Sequence, residues 1–159
     1  MAWMSPARLI RIAGLLVMLA VEPSIAFAAL GARAASVDAD RIRVQGALMR
    51  IVSNDTFALH EIRSASGTMI REYVNPSGVV FAVAWDGPWL PDLKQVLGDQ
   101  FERYQTVMQS RQRGRTGRGA VVINEPGLVV QMSGHPRAFA GRAYLPGLLP
   151  EGVQLEAIR

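Results

Sequence analysis

The stretch FALHEIRSASGTMIREYVNPSGVVFAVAWDGPWLPDL, from Phe57 to Leu93, decides the fold. It holds three apolar-rich segments, which are separated by two four-residue turns of the same kind, Ser64–Gly67 and Asn75–Gly78. Asn-Pro-Ser-Gly supplies a capping side chain, a proline at the second turn position and a glycine that tolerates positive φ. This is the chemistry of a type I turn closed by a glycine bulge. The stretch therefore predicts a β-meander that leads directly into a proline-started helix.

The meander also predicts a pairing register. If each four-residue unit is the loop, Ile70 faces Val83 and His60 faces Arg71. One face then carries the larger apolar groups and is the predicted core face: Phe57, Leu59, Ile70, Val74, Val79, Phe81, Val83 and Trp85, interrupted by Glu61 and Glu72. The third segment is apolar on both sides, which predicts a central strand.

The helix after the meander is predicted to begin at Pro91, with Asp92 in its first turn. Apolar residues then recur at three- and four-residue intervals until the helix ends near residues 109–112: Leu93, Val96, Leu97, Phe101, Tyr104, Val107 and Met108. Gly98 weakens a helix by about 1 kcal/mol relative to alanine, so we expect a close packing contact there.

A second group of strands follows a glycine- and arginine-rich linker at residues 111–119. Residues 120–124 and 128–133 flank the turn Glu125-Pro126-Gly127, and a possible third strand covers residues 137–145. Hairpin-linked strands with a segregated helix predict the α+β class. We expect one domain with an antiparallel β-meander, one amphipathic helix, and two or three further antiparallel strands.

The first 28 residues have the features of an export signal. Arg8 and Arg11 precede ten apolar residues at 12–21, and Ala26-Phe27-Ala28 fits the small-x-small cleavage rule. Ten apolar residues are too few for a bilayer crossing, which needs about 20. We therefore expect cleavage after residue 28, export to the periplasm or beyond, and no membrane span in the cleaved protein. The chain of 159 residues has no cysteine, so disulfide and thiol chemistry are excluded.

The expected domain organisation has four parts. Residues 1–28 are the signal peptide, and residues 29–56 form a segment of uncertain structure. Within that segment, residues 29–36 are expected to be a loose N-terminus, whereas residues 37–52 fit a short helix and an edge strand equally well. Residues 57–146 form the α+β core, and residues 147–159 form a tail along the surface, with Pro146 just before it and Pro150 within it.

Several separated phrases resemble one protein family. They are HEI at His60, REYV at Arg71, FAVAW at Phe81, PDL at Pro91 and RAFAGRAYLP at Arg137. The chain from about His60 to Pro146 resembles an uncharacterised family of exported bacterial proteins, a domain of unknown function (family 2844). The resemblance implies an exported single domain. It gives no residue a catalytic role, because the family has no activity to transfer.

Glu61 and Glu72 are the most unusual polar residues, because the predicted register places both on the core face. They would be diagonal neighbours about 7–8 Å apart, a separation at which two carboxylates can hydrolyse a glycoside. The alternatives are a position at the sheet edge, ion pairs with Arg63, Arg71 or Arg142, or a one-residue register slip that turns the carboxylates to solvent.

His60, Arg71 and Tyr73 are expected to cluster on the other face of the first hairpin. They form either a small anion-binding or acid/base patch, or an ordinary solvated sheet face. His60 and His135 have no neighbouring ligand at metal-binding spacing, so we expect no metal and no cofactor. Trp89, near the corner between strand and helix, either fills the core with Trp85 or is an exposed binding anchor.

The densest positive charge lies in the linker, at Arg111, Arg113, Arg115 and Arg118. These arginines either bind an anionic envelope component or form a solvated linker. Nucleic acid is not expected, because no stacking aromatic residues alternate with the arginines. The sequence thus favours a non-catalytic binding module of the cell envelope with an unidentified partner. The alternatives are a hydrolase that uses Glu61, Glu72 or His60, and attachment to anionic surfaces through the linker.

Overall fold

The computed structural model describes residues 29–34, 47–112 and 120–159. Within these ranges seven strands form one antiparallel sheet in the order β1-β2-β3-β4-β7-β6-β5. The strands are β1 (Ala47–Ser53), β2 (Ala58–Arg63), β3 (Met69–Val74), β4 (Val80–Gly87), β5 (Val121–Glu125), β6 (Leu128–His135) and β7 (Ala138–Tyr144). The predicted α+β class is confirmed, with three strands after the helix.

Two meanders build this sheet. Strands β1 to β4 follow one another in space, as do β5 to β7, and the only pairing between the two described groups joins β4 to β7. The predicted central position of the third meander strand is confirmed, because β4 is the fourth of seven strands. Gly67 and Gly78 end the two predicted turns with φ of 89° and 76°, so the turn chemistry is also confirmed.

The helical segment between the meanders is broken by Gly98. It consists of α1 (Leu93–Leu97), a single 3-10 turn at Gly98–Gln100, and α2 (Phe101–Gln112). Asp92 caps α1 by accepting hydrogen bonds from the backbone N–H of Lys94 and Gln95. The prediction that Pro91 is the first helical residue is therefore wrong by two positions. Gly98 has φ of 51° and packs against Ala29, so the close contact expected there is confirmed.

The sheet is covered on both faces. The helices and residues 29–34 lie on one face, the helix side, whose buried residues include Ile70, Val83, Trp85, Leu97 and Ile123. The C-terminal segment lies on the other face, the tail side, whose buried residues include Tyr73, Phe81, Tyr144 and Ile158. The prediction of a single core face is wrong, because Phe57, Leu59 and Phe81 pack on the tail side while the other predicted core residues of β3 and β4 pack on the helix side.

Both hairpin registers differ from the prediction. In the first hairpin His60 pairs with Glu72 rather than with Arg71. In the second, Ile70 pairs with Trp85 rather than with Val83, and a bulge follows Tyr73. A shift by two residues keeps the same face, but the one-residue shift in the first hairpin reverses the face of β2 relative to β3.

The segments outside the predicted core are part of the fold. Leu30 is 1% exposed, and residues 30–34 exchange backbone hydrogen bonds with Gly78, Val80 and Val96. The loose N-terminus predicted for residues 29–36 is therefore wrong for residues 29–34, and residues 35–36 lie outside the described ranges. The described part of 37–52 is the strand β1. The tail predicted to lie along the surface instead buries Ile158 against the sheet.

Candidate functional site

A polar groove lies on the tail side, where β2, β3 and β4 meet the C-terminal segment. Its volume is about 560 Å³, and it is lined by Leu59, Glu61, Arg71, Tyr73, Asp86, Ala157 and Arg159. Three of the residues singled out from the sequence, Glu61, Arg71 and Tyr73, meet here. The pleat places them on one face because Glu61 pairs with Arg71 across the first hairpin, and Tyr73 follows Arg71 by two residues.

Arg71 occupies the centre of the groove and holds two carboxylates. Its Nε donates to Glu61 Oε1 at 3.2 Å, and its Nη1 donates to Asp86 Oδ1. Partial burial disfavours the guanidinium charge, but the hydrogen bond and negative charge of Asp86 and the hydrogen bond to Glu61 outweigh burial and raise the pKa of Arg71. Arg71 is thus a fixed cation that engages both acids of the groove.

Tyr73 connects the sheet to the C-terminal segment. Its hydroxyl oxygen lies 3.0 Å from the carbonyl oxygen of Ala157 and 3.1 Å from that of Arg159, and it accepts a hydrogen bond from the Arg159 backbone N–H. Burial raises the pKa of Tyr73, while the backbone hydrogen bond of Arg159 and the positive charge of Arg71 oppose that shift. The phenol is therefore protonated at neutral pH and serves as a clamp on the tail.

His60 and Glu72 form a second, separate pair. They lie on the opposite face from the groove, with His60 Nδ1 3.9 Å from Glu72 Oε2, and both residues are buried. The predicted cluster of His60 with Arg71 and Tyr73 is therefore wrong. The one-residue change of register moved His60 to the helix side.

The predicted pair of carboxylates is also separated. Glu61 lies beside Arg71 on the tail side, whereas Glu72 lies beside His60 on the helix side. Two acids on opposite faces of a sheet cannot act on one glycosidic bond. The alternative interpretation, in which these glutamates form ion pairs, is confirmed for Glu61 with Arg71.

Trp89 lies outside the groove and is exposed. Its side chain is 59% exposed and that of Leu90 is 45% exposed, whereas Trp85 is 1% exposed. Trp85 thus lies in the core, whereas Trp89 lies on the surface and does not fill the core with it. The Trp89 carbonyl accepts a 2.7 Å hydrogen bond from the buried hydroxyl of Thr68.

The linker arginines lie at the boundary of the described residues or beyond it. Arg111 lies in the last turn of α2, and Arg113, Arg115 and Arg118 lie outside the described residues. Asp86 and Arg159 belong to the groove but were not predicted. Asp86 lies near the end of β4, and its distance from Arg71 depends on the register of the second hairpin. Arg159 reaches the groove only because the tail folds back over the sheet.

The polar side chains of the groove contact one another and the tail. Arg71 donates to one oxygen of Glu61 and one of Asp86, and the Tyr73 hydroxyl contacts the tail backbone. Among the described residues, no group of three or more His, Asp or Glu side chains could hold a metal ion. None of the described helices combines the length and hydropathy that a bilayer crossing requires.

Comparison with known proteins identifies a family. No curated protein matches the chain, and no solved structure matches it. The family model described as "Protein of unknown function (DUF2844)" matches residues 26–158. This range contains every described residue except Arg159, and it includes the whole sheet, the helices and the groove. The resemblance suggested by the phrases between His60 and Pro146 is thereby confirmed, and the chain belongs to the DUF2844 family of proteins of unknown function.

Proposed function

We propose that the protein is exported to the cell envelope and acts there as a non-catalytic interaction module, with Trp89 and Leu90 as its contact surface. The exposure of these two adjacent side chains, 59% and 45%, is the observation that carries the proposal. Tryptophan is the residue most enriched among the side chains that dominate binding energy at interfaces. An exposed tryptophan beside an exposed leucine is therefore a strong candidate for a contact.

The backbone beneath these side chains is held in place. Thr68 is fully buried and donates its hydroxyl hydrogen to the Trp89 carbonyl. Gly87 lies so close to Thr68 that a Cβ at Gly87 would be 2.5 Å from the Thr68 Cα. A contact surface on a fixed backbone loses less conformational entropy on binding than a surface on a flexible loop. The local structure thus favours binding through this corner.

Two further observations support a non-catalytic role in the envelope. The acids of the groove are engaged by Arg71, and the sequence pattern of residues 1–28 is that of an export signal. On this proposal residues 1–28 are removed, and the remaining chain is one domain that comprises the sheet, the helices and the tail.

Site-specific crosslinking in the native envelope tests the contact surface. Trp89 is replaced with photoreactive benzoylphenylalanine, and the exposed helix residue Gln105 is replaced in the same way as the control. We expect an envelope adduct from position 89 and none from position 105, in cells where fractionation places the protein outside the cytoplasm. Equal adducts from both positions, or retention in the cytoplasm with an intact leader, would contradict the proposal.

The hydrolase alternative is tested with the purified protein. We expect no turnover of glycoside substrates. Turnover that is lost in Glu61→Gln, with thermal unfolding unchanged, would establish an enzyme and overturn the non-catalytic role.

A further inference from the structure

One end of the sheet gathers three chain segments that are distant in sequence. Arg63 pairs with Met69 at the end of β2, and Met69 pairs with Asp86 of β4. Gly87, the last residue of β4, pairs with Phe139 of β7, two residues after Arg137. Neighbouring strands lie about 4.8 Å apart. The β2–β3 turn, the Trp89 corner and the β6–β7 turn therefore share this end, which we call the Trp89 end.

The Trp89 end combines apolar and cationic side chains. Trp89 and Leu90 supply exposed apolar surface, and Arg63 and Arg137 are exposed guanidinium groups. Among the described residues, neither arginine has a carboxylate within salt-bridge distance. The nearby acids have other partners, because Asp86 pairs with Arg71 and Asp92 caps α1. This end therefore presents two guanidinium groups that no described carboxylate engages.

Arg137 occupies an unusual backbone position. It is the only described non-glycine residue with positive φ, at 70°, and it lies in the two-residue turn between His135 and Ala138. An L-residue in this conformation costs about 1–2 kcal/mol. Glycine would fit the turn without that cost, so a long cationic side chain is placed here at the expense of stability.

We propose that the Trp89 end docks on an anionic phospholipid surface, an inference that rests on the proposed function and names its partner. Tryptophan favours the boundary between head groups and acyl chains, where its apolar ring and its N–H are both satisfied. Each arginine near an anionic membrane surface strengthens binding roughly fivefold. Apolar insertion and attraction to anionic lipids add to one another in membrane binding. Trp89 with Leu90 supplies the apolar contribution, and Arg63 with Arg137 supplies the electrostatic one.

Vesicle binding of the full chain tests this proposal. Co-sedimentation is measured with phosphatidylcholine vesicles and with vesicles of equal parts phosphatidylcholine and phosphatidylglycerol. We expect binding to the anionic vesicles that weakens as salt is raised. Trp89→Ala should weaken it about tenfold through the lost apolar burial, and Arg63→Gln should weaken it roughly fivefold.

Arg137→Gly separates binding from folding. It removes one charge and also relieves the turn, so we expect vesicle binding to fall roughly fivefold while the melting temperature stays the same or rises. Leu148→Ser and Arg103→Ser are the matched controls, because they remove an exposed leucine and an exposed arginine away from the Trp89 end; Arg103 contacts Pro126 in the β5–β6 turn, at the opposite end of the sheet. Any contribution of residues 1–28 is common to all variants. A blue shift of the fluorescence that is absent in Trp89→Ala would report insertion of the indole.

Three outcomes would overturn the proposal. The first is no binding to anionic vesicles. The second is an equal loss of vesicle binding in the test and control variants. The third is binding to soluble dextran sulfate that is as tight as binding to the vesicles and is unaffected by Trp89→Ala. A protein adduct from position 89 in the crosslinking experiment, together with absent vesicle binding, would overturn the lipid surface and retain the interaction module. Absence of both would overturn the two proposals together.

Discussion

Gly141 shows how strongly one position is constrained by its neighbour across the sheet. It pairs with Trp85 on one side and with Met132 on the other. A Cβ at Gly141 would enter the indole ring of Trp85 and lie 2.8 Å from the Met132 Cβ. The indole of Trp85, the largest core side chain, therefore occupies the space that a side chain at position 141 would need.

This contact gives a prediction at the scale of one residue. Gly141→Ala should lower the free energy of unfolding by about 1–3 kcal/mol, because a packed indole must move to admit the methyl group. Gly147→Ala is the control, since a Cβ there meets nothing within 4 Å. Urea denaturation followed by circular dichroism measures both. Equal stability of the two variants would contradict the packing of Trp85 on Gly141.

At the scale of elements, the C-terminal segment is a clamped cover rather than a free tail. Tyr73 holds residues 157 and 159, and Arg142 donates to the carbonyls of Leu155 and Ile158. Phe57, Tyr73 and Phe81 pack their rings on this side with centroids 5.6–6.2 Å apart. The segment thus keeps an aromatic cluster out of water and closes one wall of the Arg71 groove.

Because Tyr73 is buried in the clamp, the free energy of unfolding depends on pH in the alkaline range. Burial raises the pKa of Tyr73 in the folded protein, so above about pH 10 the unfolded chain loses the phenolic proton first. The stabilisation is complete below the unfolded pKa and is lost as pH rises through the folded one. We expect the unfolding free energy to fall more steeply above about pH 10 in the wild type than in Tyr73→Phe.

Tyr104→Phe is the matched control for the clamp. Burial raises the pKa of Tyr104 as well, so its removal also flattens the alkaline decline. At neutral pH only Tyr73→Phe should lower the free energy of unfolding, by about 1–2 kcal/mol, because it alone leaves tail carbonyls without their hydrogen-bond donor. Denaturation curves from neutral to alkaline pH distinguish the variants. A Tyr73→Phe protein with wild-type stability at neutral pH would show that the hydroxyl does not hold the tail.

At the scale of the whole molecule, the segment before β1 completes the core. Leu30 lies among Val80, Val96 and Leu97 on the helix side, and its N–H donates to the Val96 carbonyl. Gly31 and Ala32 exchange backbone hydrogen bonds with Val80 at the start of β4. A few residues next to the expected cleavage site thus connect the helix to the central strand.

Leu30→Ala should therefore destabilise the whole domain by about 2–5 kcal/mol, the cost of a cavity in a packed core. Leu148→Ala, which truncates a leucine that is 37% exposed, should change stability by less than about 1 kcal/mol. Thermal unfolding of the two proteins makes the comparison. If Leu30→Ala unfolds like Leu148→Ala, residues 29–34 are not part of the cooperative unit.

Sequence patterns predicted the order and type of the elements from β2 onward, whereas the segment that contains β1 fitted a helix and a strand equally well. Pro-Gly turns, alternating apolar residues and the helical spacing after Asp92 act over a few residues, so the class, the turns, the central β4 and the contact at Gly98 could all be predicted. The family also followed from short local phrases. The division between Trp85 and Trp89 was left open because exposure depends on what packs above a residue.

Only the tertiary structure decided which side chains meet. A one-residue difference in the register of the first hairpin placed Glu61 with Arg71 on the tail side and Glu72 with His60 on the helix side. Register depends on the sum of contacts across the sheet, and a single residue of slip exchanges its faces. The burial of Leu30 and Ile158 also depends on the tertiary structure. Both faces of the sheet are apolar, so the segments before β1 and after β7 cover them.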